Sequence, residues 1–574
     1  TESYRLGFIG EVELGQTKTE NPYSTFKDFY TKDFQKFVEY NIQDVEIVDA
    51  LEDKLGLIDL SLTFAYETKV NYNDIFSQVR VWDTLIANYL MTKKICVPPR
   101  VEHIKDTKYE GAYVKEPRIG MQKWVVSFDI NSLYPHIIVQ YNISPEKILG
   151  LNSSGISVNK MLSKKTPLDY LKTEGATITP NGAMFKTDSQ GFLPEMIQKI
   201  YNERVVFKKR MLKAKKEYQK TKESSLVKEI ARCHNIQWAR KIALNSCYGA
   251  IGNQYFRYYD VRQASAVTTA GQFIIRFIEE KVNEYLNQVL QTKGEIDYII
   301  ASDTDSIYVS LDKLVEKTCK DKTDDQIADF IGRVCDSRLE PYIEKQFTEL
   351  ADYTNAFKNA MVMKREVIAN KGIWVAKKRY MLNVIDEEGI RLAEPKLKLM
   401  GIEAVKSSTP QVCRGKIKEA IKIIMSKQES DLHKFIADFK KEFMSLDPEA
   451  ISFPRSCNNM RKYGSSKDVF IKGSPIHVKG ALIYNHQIKE FKLQHKYPYI
   501  QEGDKIKFIK LLEANPFKFD VISYITTLPK EFNLNEYVDY ELQFEKTFLD
   551  PMRFILNSIG WEHEKKASLE AFFG

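Results

Sequence analysis

Ile296-Asp-Tyr-Ile-Ile-Ala-Ser-Asp-Thr-Asp-Ser-Ile-Tyr-Val-Ser310 is the stretch that decides how this chain reads. Two apolar, β-branched runs flank the polar tip Asp303-Thr304-Asp305-Ser306, the pattern of a strand, a tight turn and a second strand. The i, i+2 spacing predicts Asp303 and Asp305 on one strand face. A further carboxylate, Asp129, closes another apolar run, Trp124-Val-Val-Ser-Phe-Asp129, which also reads as a strand. A lone Asp after a strand is ordinarily a turn residue, and Asp-Thr-Asp alone is a weak signal. Together, two such sites suit Mg2+, which prefers hard oxygen ligands. Two such ions activate a hydroxyl nucleophile and neutralise a leaving pyrophosphate, as nucleotidyl transfer requires.

The chain has 574 residues, 43% of them hydrophobic, so several domains are expected. No run approaches the roughly 20 apolar residues of a membrane span, and a soluble intracellular protein is expected. The seven cysteines form no CxxC pair, which argues against a disulfide framework or a zinc site. The net charge is +8. It is concentrated between Tyr201 and Glu223, with nine Lys or Arg against three Glu. Such a run is ordinarily a solvated helix face; with a polyanionic partner it becomes a binding face.

Working outward, Asp33 to Leu55 reads as a helix, with Phe34, Phe37, Val38, Ile42, Val45, Val48 and Leu51 at helical spacing. A second helical stretch runs toward Pro98-Pro99, a boundary. Residues 150–192 read as loops and hairpins. From Pro194 to Ala250 two long helices are predicted, joined near Thr221 to Ser225. Strand-like segments are expected from the hairpin to about Met400, and helices from Gly401 to about Met444. On the paired helices, Arg204 and Lys208 share one face, and Lys241, Asn245 and Tyr248 another.

Several ordered motifs carry a family resemblance. Asp129-Ile-Asn-Ser-Leu-Tyr-Pro135 resembles polymerase motif A of the family B DNA polymerases, Lys241-Ile-Ala-Leu-Asn-Ser-Cys-Tyr-Gly249 motif B, and Ser302-Asp-Thr-Asp-Ser306 motif C. Lys377-Lys-Arg-Tyr380 resembles the Lys-x-Tyr primer-strand motif, and Tyr109-Glu-Gly-Ala112 the family's connector. Glu394-Pro-Lys-Leu-Lys-Leu-Met-Gly401 and Lys406-Ser-Ser-Thr-Pro410 are similar to the palm-to-thumb passage of the T-even-type phage polymerases. The resemblance covers essentially the whole chain.

It implies an α+β multidomain right hand with a partial exonuclease domain. The expected divisions are residues 1–56 (exonuclease remnant), 57–100 (connecting N-terminal-domain segment), 101–190 (palm), 191–253 (fingers), 254–401 (palm) and 402–574 (thumb). It implies template-directed addition of deoxynucleotides to a primer 3′ end in phage replication, in the cytoplasm of an infected bacterial host. Two Mg2+ ions, replaceable by Mn2+, would be held by Asp129, Asp305 and the Ile130 carbonyl, with Asp303 supporting. Ser132, Leu133, Tyr134, Arg204, Lys208, Lys241 and Asn245 would hold the deoxynucleoside triphosphate, Lys241 as general acid and Tyr134 against a 2′-hydroxyl. Tyr248, Gly249, Lys378 and Tyr380 would contact the nascent base pair and primer-template DNA. Two departures stand out: Ala301-Ser302 replace the usual Tyr-Gly, and Lys364 stands where phage relatives tend to have Asp. Ser in place of Gly removes easy access to positive φ.

Of the family's exonuclease carboxylates only Tyr40-Asn-Ile-Gln-Asp44 is evident, and Glu11-Val-Glu13 reads as structural. The chain is therefore expected to be a truncated form or one half of a split polymerase, needing an N-terminal companion chain to proofread. At the other end Leu569, Phe572 and Phe573 share a helical face and resemble a sliding-clamp-binding peptide. The rival readings are a non-catalytic DNA-binding remnant, a protein-primed polymerase whose hallmark insertions are not evident, and an RNA-templated enzyme, which Tyr134 does not exclude.

Overall fold

The computed structural model describes residues 2–23, 25–104, 108–152, 155–294, 296–465 and 468–565. The N-terminal part is helical: α1 (Leu6–Leu14), α2 (Phe26–Lys32), α3 (Phe34–Leu55), α4 (Leu57–Thr68) and α5 (Gln78–Thr92). Each start has a local cause. Thr25, Asp33 and Ser77 accept main-chain N–H groups at the first turns of α2, α3 and α5, satisfying donors that a helix leaves orphaned. Gly56, at φ 59, ends α3.

Next come β1 (Gly120–Ile130), α6 (Leu133–Gln140), β2 (Ile148–Leu151), α7 (Val158–Leu162), α8 (Tyr170–Glu174), β3 (Ala176–Ile178) and β4 (Ala183–Lys186). Strands β2, β4 and β3 form a small antiparallel sheet. The long pair α9 (Phe192–Thr221) and α10 (Ser224–Ile251) follows, then α11 (Val261–Leu290), β5 (Ile299–Asp303) and β6 (Ser306–Ser310). The expected strands after Ser310 give way to α12 (Asp312–Thr318), α13 (Asp324–Val334) and α14 (Glu340–Tyr353). There Ile327, Ala328 and Ile331 recur at helical spacing and are buried, and Thr323 and Gln326 form a capping box, so the helical period prevails. Strands β7 (Met363–Ala376), β8 (Arg379–Glu387) and β9 (Ile390–Met400) complete a six-stranded sheet of order β5-β6-β1-β7-β8-β9, antiparallel throughout.

Strand β1 lies inside this sheet, and Val125, Val126, Phe128 and Ile130 are fully buried. One hydrophobic core extends from Phe64 to Ile385 and includes α5, α11 and the inner strands. A second, from Ile373 to Leu556, is built on α15 (Gln411–Ser426), α16 (Glu429–Phe443), the helix Ile476–Glu490 and a three-stranded sheet. Helices α1 to α3 contribute to neither core. Phe29, ringed by Tyr23, Phe37 and Tyr40, anchors them locally. The apolar stripe of α3 is not a core face: Phe34, Ile42, Val45 and Val48 are exposed, and Leu57, Ile58, Leu62 and Tyr66 of α4 continue the exposed surface. No helix among the described residues is long and apolar enough to cross a membrane.

Gly401 sits where the chain leaves the large sheet. Its φ is 64, and a β-carbon there would run into the Lys378 carbonyl. Gly401→Ala is expected to destabilise the protein by about 1–3 kcal/mol, seen as a drop in thermal midpoint. Gly389→Ala, in a turn with only the Arg365 side chain near it, should cost less. Equal midpoints for the two variants would contradict this account.

Candidate active site

Three neighbouring strand segments converge their carboxylates. Asp129 pairs with Ser306 of β6 on one side and Lys364 of β7 on the other. Asp303 ends β5 and Ser306 begins β6, so Asp305 lies in the turn itself and not, as the spacing implied, on a strand face shared with Asp303. The turn is tight because Thr304 adopts φ 59 and the Asp305 N–H donates to the Asp303 carbonyl at 2.6 Å. The Ile130 N–H donates to the Asp305 carbonyl at 2.8 Å, which ties the turn to the end of β1. Ser302 keeps ordinary strand geometry; the positive φ falls on Thr304, so the Gly-to-Ser departure introduces no backbone strain.

Burial pushes the Asp129 carboxyl up to about 7, with repulsion from Asp305 and Glu366 adding to it and Lys398 and Lys241 opposing it. Burial likewise pushes Asp305 up to about 6, reinforced by Asp303 and Glu366 and opposed by Lys378. Asp303 is paired with Lys378 at 2.9 Å. Glu366 is a site residue the sequence reading missed. It accepts from Ser127 at 3.3 Å and pairs with Lys398 at 2.9 Å. Nothing in the linear order marks it; the pairing of β7 with β1 brings it beside Asp129. Lys364 is paired with Glu340 at 2.6 Å.

These groups fit divalent ions. Two desolvated carboxylates and a main-chain carbonyl are hard oxygen donors, and a cation would offset the burial and the carboxylate repulsion that together raise their pKa values. Among the described residues no three His, Cys, Asp or Glu side chains converge into a closed metal cage.

Asp129, Asn131, Glu366, Lys364 and Lys208 line a cleft of about 420 Å3. Lys208 reaches it from α9. Arg204, one turn earlier, is half-buried; desolvation lowers its pKa, and its Nε–H is buried without a hydrogen-bond partner. A desolvated guanidinium with a spare donor is suited to an anion. Lys241 on α10 lies over the Trp238 ring at 4.9 Å. The helix pair is braced by Arg240, which bonds Glu203 and Glu67 at 3.0 and 2.8 Å. Not all of the basic run is free, since Arg210 pairs with Glu229 at 2.7 Å. Asn245 is exposed on α10.

Ser132, at φ 49, turns the chain from β1 into α6, burying Leu133 and leaving Tyr134 half-buried. The Tyr134 ring lies 4.8 Å from that of Tyr248, whose hydroxyl meets that of Tyr109 at 3.3 Å. Behind it is Gly271, where a β-carbon would come within 3.2 Å of the ring. A β-carbon at Gly249 would strike the side-chain oxygen of Gln78. His136 is a second residue not foreseen: its Nδ1–H donates to the Asn131 and Ser132 carbonyls at 2.6 and 3.1 Å, holding the left-handed turn. Lys378 is exposed at the β7–β8 turn. Tyr380, expected against the primer, is only 6% exposed; its hydroxyl meets that of Tyr308 at 2.6 Å, and its ring stacks on Trp374.

Tyr40 and Asp44 are neighbours one turn apart on α3. Asp44 pairs with Lys18 at 2.6 Å, and Lys18 also lies over the Tyr40 ring. Glu13 of the Glu-Val-Glu run pairs with Lys54. Leu569, Phe572 and Phe573 lie outside the described residues.

The raised carboxylates have a consequence for stability. The ordinary value is 3.8, so the folded state binds these protons more tightly than the unfolded chain does. That stabilisation is complete below about 4 and is lost as pH rises through 6 to 7. Asp129→Asn is therefore expected to raise the thermal midpoint in metal-free buffer at pH 8 by about 1–4 °C, with a smaller gain at pH 5.5. A fall at pH 8 would show that the site is not electrostatically strained.

Residues 74–470 match the sequence profile of DNA polymerase family B. The DNA-directed DNA polymerase of Escherichia phage RB69 is 36% identical over 100% of this chain and 68% of its own length. That of Enterobacteria phage T4 is 33% identical over 98% of this chain and 67% of its own length. DNA polymerase 1 of Pyrococcus abyssi is 27% identical over 55% of this chain and 34% of its own length. The matched region takes in the carboxylates, the cations of α9 and α10, and the Tyr134–Tyr248 pair. With the profile spanning more than half of it and the phage relatives aligned along nearly all of it, this chain belongs to DNA polymerase family B.

Proposed function

We propose that this chain adds deoxynucleotides to the 3′ end of a primer as directed by a DNA template, in the replication of a phage within the cytoplasm of its bacterial host. The observation that carries the reading is the union of two strained carboxylates, Asp129 and Asp305, with a half-buried, unpartnered Arg204 and the cleft-lining Lys208. Anion-seeking helices opposed to cation-seeking strands are what a metal-bound triphosphate requires.

In this reading the sheet-bearing residues 101–190 and 254–401 form the palm, α9 and α10 (within 191–253) the fingers, and residues 402–574 the thumb. Residues 1–56 correspond to part of an exonuclease domain, joined through 57–100. Asp129, Asp305 and the Ile130 carbonyl would hold two Mg2+ ions, which when bound supply charge neutralisation and an activated 3′-hydroxyl. Asp303 and Glu366 add negative charge beside them. Arg204 and Lys208 grip the phosphates, and Lys241 donates a proton to the departing pyrophosphate. Ser132, Leu133 and Asn245 border the nucleotide. Tyr134, wedged against Gly271 and Tyr248, blocks the space of a 2′-hydroxyl. Gly249 borders the nascent base pair, and Lys378 meets primer phosphates; Tyr380 supports the sheet beneath it. The exposed apolar face of α3 and α4 supports a companion polypeptide there, and the tail a sliding clamp.

Primer extension in Mg2+ on a labelled primer-template tests the proposal. The chain should extend the primer, and Asp305→Ala should abolish extension. Lys241→Ala should slow it by about 100-fold or more. Extension should weaken steeply with salt, because the DNA contacts are to phosphates. Extension unchanged in Asp305→Ala would refute the assignment; binding of DNA without extension would identify a non-catalytic remnant. For the sugar filter, Tyr134→Ala should raise ribonucleotide incorporation at least about tenfold, and unchanged discrimination would place the filter elsewhere.

A further inference from the structure

The hairpin that carries Asp303 and Asp305 is held to its neighbours largely by main chain. The Thr304 N–H donates to the Tyr113 carbonyl at 3.1 Å, the Lys115 N–H to that of Ser302 at 3.2 Å, and the Ile130 N–H to that of Asp305 at 2.8 Å. Such bonds fix strand spacing. Against the helical layer behind it, the hairpin is held by the apolar core it shares with α11, and at its base the Tyr298 N–H donates to Asn283 of α11 at 2.8 Å.

Ser302 adds a polar link to that layer next to the tip. Strand alternation turns its side chain away from the Asp303 face. It is 2% exposed, and its hydroxyl donates to Glu279 of α11, itself 8% exposed. Glu279 stands near Ile275, Ile278 and Val282 on α11, all fully buried. A buried carboxyl is expensive unless it is paired. Burial pushes this one up to about 7, with Ser302, Lys115 and Arg276 pulling the other way and Asp297 adding to the rise. Lys115 is itself occupied by Asp297 at 2.7 Å, and Arg276 lies over the Tyr113 ring. Among the described residues the Ser302 hydroxyl is the hydrogen-bond partner of Glu279, and it lies one residue from Asp303.

We infer that Glu279 is a positioning residue that acts through Ser302 to hold Asp303 and Asp305 at their working separation from Asp129, an inference that rests on the polymerase reading above. Neither residue touches substrate. Ser302 departs from the resembled motif, so the strut belongs to this chain's own solution for a hairpin without the usual Tyr-Gly.

The test compares the full chain with Glu279→Ala, Glu279→Gln, Ser302→Gly and the Glu279→Ala/Ser302→Gly double variant. The readouts are Mn2+ binding by electron paramagnetic resonance, single-turnover nucleotide addition in Mg2+, KM for the nucleotide, and thermal midpoint. Glu279→Ala and Ser302→Gly are each expected to weaken Mn2+ binding and slow addition by about tenfold, with KM nearly unchanged. Glu279→Gln keeps an acceptor oxygen and should stay near wild type. The double variant should be no worse than Glu279→Ala, because one interaction is removed once. Wild-type Mn2+ binding and rate in both single variants, or losses that multiply in the double, would overturn the inference. If Glu279→Ala does not fold, Ser302→Gly decides alone. If the wild-type chain extends no primer, the polymerase reading falls, while Mn2+ binding still decides whether the strut positions the carboxylates.

Discussion

The antiparallel pairing of β1 with β6 and β7 is the constraint on which the rest depends. It sets Asp129 opposite Ser306 and Lys364, brings the Asp305 turn to the end of β1, and lays Glu366 alongside. Because β1 is buried on both faces, its register cannot slip by one residue without putting Val125 and Ser127 where Val126 and Phe128 pack into the larger core. The core therefore specifies where the charges go. The energy for holding like charges together in a desolvated place comes from apolar burial elsewhere in the strand, and the raised carboxyl groups of Asp129 and Asp305 are the visible cost.

A positive charge brought to these carboxylates would offset that cost. Arg204 and Lys208 stand on α9 and Lys241 on α10, and Lys208 lines the cleft together with Asp129 and Glu366 of the sheet. Cation and anion also meet directly, in Lys364–Glu340 and Lys398–Glu366 along the cleft and in Lys378–Asp303 at the hairpin tip. The aromatic wall follows the same logic. Tyr134 is fixed between Gly271 and Tyr248, a rigid surface at low entropic cost, whereas Tyr380 is absorbed into the sheet with Tyr308 and Trp374.

The N-terminal helices obey a different balance. In α3 a stripe of helical period faces solvent, although its caps and ending follow ordinary local rules. Periodicity reports that a helix has an apolar side, not that the described chain covers it.

The sequence by itself determined the elements with strong local causes: the capped helix Phe34–Leu55, the paired helices α9 and α10, the strand ending at Asp129 and the Asp-Thr-Asp hairpin. It also marked Asp129, Asp305, Arg204, Lys208 and Lys241 as candidates, each ambiguous alone and singled out by the ordered motifs around them. The helices between Ser310 and Met363 were missed because their short amphipathic runs, taken singly, resemble strands until a cap and a buried face distinguish them. Only the tertiary structure decided that Asp305 occupies the turn, that Glu366 and His136 join the site, that Tyr380 is buried and that Glu279 reaches Ser302. Those facts depend on contacts between segments far apart in the chain, and no local period or spacing encodes which strand or helix will lie beside which.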